Sequence, residues 1–171
     1  MNQKRLIARI SLVALLCIHL YGHSDESKAL NAALSDRLHF ANIGISGVKS
    51  PGTIYKIKLH GIAADFRGKS AIYPVSTFED GNITKRGHGE TSLKVGTEVY
   101  LFRSHVRKSD LTITFHAVDT MPRPNGPGVG RDSAGEEVYA VGEVLFPGLA
   151  DQPIDKIVLT IQQVFEPETG Q

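Results

Sequence analysis

Cysteine is almost missing from this chain. Cys17 is the only one in 171 residues, so no intrachain disulfide can form. Tryptophan is absent and aromatic residues make up only 7%, which counts against a platform that stacks sugars or bases. Neither sign of charge prevails, since 19 Lys and Arg stand against 18 Asp and Glu for a net charge of +1. No global field therefore favours nucleic acid or an anionic membrane surface. With 41% hydrophobic and 22% charged residues, the composition is that of a globular domain and excludes wholesale disorder, collagen and coiled coil. Two hydrolase signatures are also missing, G-x-S-x-G and H-E-x-x-H.

What is present begins with an export signal. Lys4, Arg5 and Arg9 form a basic start, and Ile10 to Tyr21 is a largely apolar run of 12 residues interrupted by His19. That run is shorter than the ~20 residues a membrane-spanning helix needs, and it fits the apolar region of a signal peptide. Gly22 and Ser24 are small residues suited to a cut before Asp25. The expected product is periplasmic or extracellular. A lipid anchor through Cys17 is the lesser expectation, because Leu15 and Leu16 precede it where a lipid-attachment box wants a small residue. Removing residues 1–24 leaves 16 basic and 18 acidic residues, a net charge of −2, and no cysteine. A thiol nucleophile, a cysteine zinc site and a disulfide framework are then all excluded. The hydrophobic core must hold the fold unaided, which about 147 residues can do.

Hydrophobic spacing predicts a mainly β fold of the α+β type: a small antiparallel barrel or curved sheet with a helix packed on it at each end of the chain. Residues 25–50 read as a helix and a loop leading in, and residues 51–167 as the β-rich domain. Leu30, Ala33, Leu34 and Leu38 recur at helical steps over 25–41. Tyr55, Ile57 and Leu59 alternate with Lys56, Lys58 and His60 from Thr53 to His60. Asp80-Gly81 is a strong hairpin turn. The clearest period of two runs from Leu111 to Val118. It predicts Ile113 and Phe115 inside with Thr112 and Thr114 outside. Residues 121–135 hold three Pro and four Gly and read as a long loop. A last helix is expected from Pro153 to Phe165, with Ile154, Ile157, Val158, Ile161 and Phe165 as its apolar stripe.

No catalytic or metal-binding residue and no cofactor is expected. Five histidines follow residue 24: His39, His60, His88, His105 and His116. None is paired at a helical metal-ligand spacing. A two-residue turn near Ser109-Asp110 pairs positions whose numbers sum to 217 or 219. Either register places Arg103, His105, Arg107 and His116 on one strand face with Thr112 and Thr114. Two arginines repel a metal ion but attract an anion. That face is a candidate anion patch, although charge-bearing strand faces are ordinarily just solvated. The Gly126 to Arg131 loop lacks the phosphate-loop pattern, and Pro127 removes a backbone donor. Asn82-Ile83-Thr84 matches the glycosylation triplet, which matters only on a eukaryotic secretory route.

Several segments together have a familiar look: Pro51-Gly52-Thr53-Ile54-Tyr55, Lys94 to Tyr100, Lys108 to Phe115, Tyr139 to Phe146, and Val164-Phe165. Over about residues 50–165 the pattern resembles uncharacterised exported small β-domain proteins of environmental bacteria. The resemblance implies export and a β domain, and it carries no catalytic residue across. The leading expectation is a non-enzymatic binding or scaffolding domain of a bacterial envelope, with an envelope protein or anionic polymer as partner and no nucleic acid. One alternative is a small periplasmic hydrolase or lyase that joins a His to a carboxylate. Another is a lipid-anchored assembly subunit.

Overall fold

The computed structural model describes residues 25–44, 47–66, 73–122 and 137–168. The expected signal segment 1–24 lies outside these residues, as does most of the Gly/Pro stretch. Half of the structure is strand and 17% helix, and the main sheet is strongly curled into a half-barrel.

Helix α1 covers residues 25–37. Leu30, Leu34 and Leu38 form its inward stripe at steps of four, while Ala33, expected in that stripe, is exposed. The helix ends in a left-handed turn. His39 has φ 46°, and the Phe40 N–H donates to the Ser35 carbonyl at 3.1 Å. Two short strands follow, β1 (Asn42–Gly44) and β2 (Gly47–Ser50), paired as a separate two-stranded ribbon.

The main sheet is built from β3 (Ile54–Ile57), β4 (Ala63–Phe66), β5 (Val75–Glu79), β6 (Asn82–Lys85), β7 (Thr91–Ser92), β8 (Glu98–Arg107), β9 (Asp110–Pro122), β10 (Glu137–Phe146) and β11 (Phe165–Pro167). Its order is β11-β3-β8-β9-β10-β4-β7, with β5 also on β10 and β6 on β5. The far edge of β10 is shared. Ala140 and Val141 pair antiparallel with β4, and Glu143 to Leu145 pair parallel with β5. Gly142 sits at the handover. A Cβ there would lie 2.5 Å from the Ala63 carbonyl oxygen and 2.6 Å from the Phe115 ring, so only glycine fits. The β5–β6 hairpin closes through Asp80 (φ 50°) and Gly81 (φ 82°), the two positive φ values of a type I′ turn.

The face of the sheet that meets the helices carries Leu101, Leu111, Ile113, Phe115, Val144 and Phe146. They share one buried cluster with Leu34 of α1, Leu38 in the turn after it, and Ile157 and Ile161 of α2 (Ile154–Ile161). Each such side chain contributes about 1.5–3 kcal/mol by leaving water. The Ser104 hydroxyl donates to Asn31 at 2.8 Å, and Arg37 pairs with Asp155, so α1 is tied to both β8 and α2.

Several expected boundaries move. The last helix stops at Ile161 rather than Phe165. After a turn over 162–164 the chain becomes β11, with Phe165 opposite Ile57. The apolar spacing runs through this junction because Val164 and Phe165 still face the core. Pro153 caps α2 from outside rather than sitting in its first turn. Strand β3 ends at Ile57 instead of running to His60. The weakly periodic stretch 61–79 holds β4 and β5. Of the loop expected over 121–135, Met121 and Pro122 instead pair with Val138 and Glu137, and residues 123–135 lie outside the described residues. The β8–β9 turn is Lys108-Ser109, and Asp110 already pairs with Arg107.

Candidate functional site

The register of β8 against β9 begins as expected. Arg107↔Asp110, His105↔Thr112 and Arg103↔Thr114 are partners, all summing to 217. Their side chains point to the outer face, away from the helices, and Arg103, His105 and Arg107 are exposed. Past Arg103 the register slips. Leu101 pairs with Phe115 and Tyr100 with His116, so Phe102 is an extra residue in β8. In a regular strand consecutive side chains lie on opposite faces. A bulge relaxes that rule and brings Phe102 and Arg103 to the same side, with the guanidinium carbon 5.6 Å from the Phe102 ring centre.

A second irregularity lies beside the first. Val141 pairs with His116 and Tyr139 with Thr120, so Ala117, Val118 and Asp119 all stand opposite Ala140. His116 is at the junction of the two distortions. It is 1% exposed, and its ring lies 4.8 Å from that of Tyr139. Its Nδ1 is 2.7 Å from the Ala117 carbonyl oxygen. A carbonyl only accepts, so Nδ1 carries the proton and Nε2 is the acceptor in the neutral ring.

These residues line a cavity of about 280 Å3 on the outer face. Arg103, Phe102 and His116 come from β8 and β9, Val141 from β10, Ile43 and Gly44 from β1, and Tyr73 from the segment entering β5. The β1 ribbon and Tyr73 thus form a second layer beside His116 and Val141 at this point of the outer face.

That layer corrects the expected solvated face. Arg103 and His116 do come together, but His116 is buried and does not belong to an exposed patch. His105 and Arg107 lie farther out along β8. Thr114, expected outside, is 1% exposed and donates to Glu143 at 3.1 Å. The face also carries carboxylates that a two-strand reading omits. Asp110 faces Arg107 across the ladder, although it accepts from the Gly148 N–H at 3.0 Å, and Glu143 follows Thr114 on β10. Among the described residues, Arg103, His105 and Arg107 form no salt bridge.

No protein-family model, curated protein or solved structure matches this chain.

Other chemistry is dispersed. Among the described residues no three His, Cys, Asp or Glu side chains converge as a metal site. His39, His60, His88 and His105 are exposed on separate elements. Ser35, Asp36 and His39 share an open cleft at the end of α1, all three solvated. Ser46 and Lys49 have S-x-x-K spacing; Lys49 lies on strand β2, and Ser46 is outside the described residues. Sequence reasoning missed Phe102, Tyr73, Ile43 and Val141. Only the bulge and the second layer assign them to the site, and neither has a local sequence signal.

Proposed function

We propose that this chain is an exported, non-enzymatic binding domain whose contact surface is the outer face of β8, and that its partner is an anionic polymer of the cell envelope. The observation that carries the reading is the row Arg103, His105 and Arg107, exposed and without ion pairs among the described residues. Alternate strand residues lie about 6.5–7 Å apart, so the Arg103 and Arg107 guanidinium groups recur about 13–14 Å apart with the His105 ring between them, a spacing that suits an extended polyanion. The basic start and short apolar run of residues 1–24 support export. The alternative of a His–carboxylate hydrolase has less support, since four of the five histidines are solvated and scattered.

Titration with polygalacturonate, a polycarboxylate, tests the reading. Binding should weaken as salt rises, because exposed charges are screened beyond about 8 Å at physiological ionic strength. The double variant Arg103→Ala/Arg107→Ala should bind at least about tenfold more weakly, as loss of two charge-assisted contacts implies. Equal affinities, or affinity independent of salt, would defeat the proposal.

A further inference from the structure

The cavity beside Arg103 differs from the open row in shape and lining. Ile43, Gly44 and Tyr73 border it together with His116 and Val141, and it is partly open to solvent. Two separate strand distortions converge on it, the extra residue in β8 and the three-against-one stretch of β9. Such bulges disrupt ladder pairing, and they recur where a side chain has to be re-aimed. Here the bulge in β8 delivers Arg103 next to an aromatic ring on the same wall.

We propose that this cavity binds a single carboxylate carried on a compact planar or apolar body, with Arg103 as its anion-holding group. The inference deepens the anionic-partner reading and rests on Arg103 being available to an anion. Three features define the ligand class. First, among the described residues the cavity offers one guanidinium fork, that of Arg103, which matches the two oxygens of a carboxylate. Second, among the described residues the cavity is lined from β1, β8, β9, β10 and the Tyr73 segment, with no residue of either helix. The donor-rich cradle that a dianionic phosphate prefers is therefore not supplied by a helix. Third, the described lining besides Arg103, His116 and Gly44 is Phe102, Tyr73, Ile43 and Val141, which suits a flat apolar body. The volume of about 280 Å3 holds a one-ring acid rather than a nucleotide. His116 adds an aromatic face whose orientation is held by the Ala117 carbonyl and by Tyr139. Two carboxylates flank the cavity on the ladder, Glu143 opposite Thr114 and Asp65 opposite Val141, and Asp65 accepts from the Glu90 N–H at 2.7 Å. The Glu143 carboxylate accepts from the Thr114 hydroxyl, which turns at least one oxygen to β9.

The test uses the whole protein and three probes: benzoate, the neutral isostere benzamide, and inorganic phosphate. Binding is followed by calorimetry and by amide chemical shifts. Benzoate should bind and shift the amides of residues 102, 103, 116 and 141, while benzamide and phosphate bind at least about tenfold more weakly, as expected for loss of a bidentate charge-assisted pair. Arg103→Gln should abolish the preference for benzoate over benzamide, and Arg103→Lys should restore part of it. His105→Ala/Arg107→Ala should leave benzoate binding intact while weakening polygalacturonate, which separates failure of the cavity from failure of the open row. Equal binding of benzoate and benzamide, phosphate binding as tight as benzoate, no benzoate binding up to 10 mM (about −2.7 kcal/mol), or benzoate binding indifferent to Arg103→Gln would each overturn the proposal.

Discussion

Gly142 shows how much one residue decides in this fold. It stands where β10 passes from β4 to β5, with the Ala63 carbonyl and the Phe115 ring filling the space of a side chain. Neither neighbour is the free end of a flexible side chain. Gly142→Ala should therefore cost about 1–3 kcal/mol through overpacking, read as a lower urea midpoint with an unchanged slope. Tyr55 makes a second prediction. Its hydroxyl donates to the Leu38 carbonyl at 2.9 Å, and burial pushes the phenol up to about 12. The folded value lies above the ordinary one, so this stabilisation is complete below pH ~10 and is lost as pH rises towards 12. Lys56 acts in the same direction, since the Glu168 carboxylate at 2.9 Å holds its ammonium above the ordinary range. Urea midpoints at pH 9 and pH 11 should fall more for the wild type than for Tyr55→Phe; equal falls would remove Tyr55 from the account.

At the scale of elements, legibility followed the number of layers. Leu111, Ile113 and Phe115 could be read from alternation because one face of β9 meets a continuous core. Thr114 and His116 could not, because alternation assigns them to the outer face and says nothing of what else packs there; the cavity that His116 lines is bordered by Ile43, Gly44 and Tyr73 from distant parts of the chain. The junction of α2 with β11 stayed hidden since Ile161 and Phe165 keep a helical spacing while both serve the core. Strand β4 is Ala-Ala-Asp-Phe, with too little alternation to announce itself. At the site, Arg103 was legible as a cation on a strand, whereas the facing of Phe102 depends on a bulge that only pairing with β9 defines. That bulge can be tested by deletion. Removing Phe102 restores alternation while leaving Leu101 inward and Arg103 outward, so the variant should fold with a modest loss of stability and without the cavity wall. Deleting Ser104 in the regular part of β8 reverses one side of the strand and should abolish cooperative unfolding. Thermal melts of the two deletions decide between a tolerated bulge and an obligatory one.

For the whole molecule, the half-barrel does not close, and an unclosed sheet leaves backbone donors and acceptors able to recruit another chain. Its terminal strands are built to discourage that. Among the described residues β11 has three residues, with Glu166 exposed and Pro167 lacking an N–H, β7 has two, and β6 carries the exposed Lys85. Brevity, charge and proline work together as a guard against edge-to-edge polymerisation. Replacing Glu166 and Pro167 together by Val should lengthen the sticky edge without touching the core. Sedimentation at high protein concentration should then show self-association in the variant and not in the wild type. A protein of this design can be concentrated where its partner is concentrated, on a crowded surface for instance, without its own sheet becoming the template that removes it from solution.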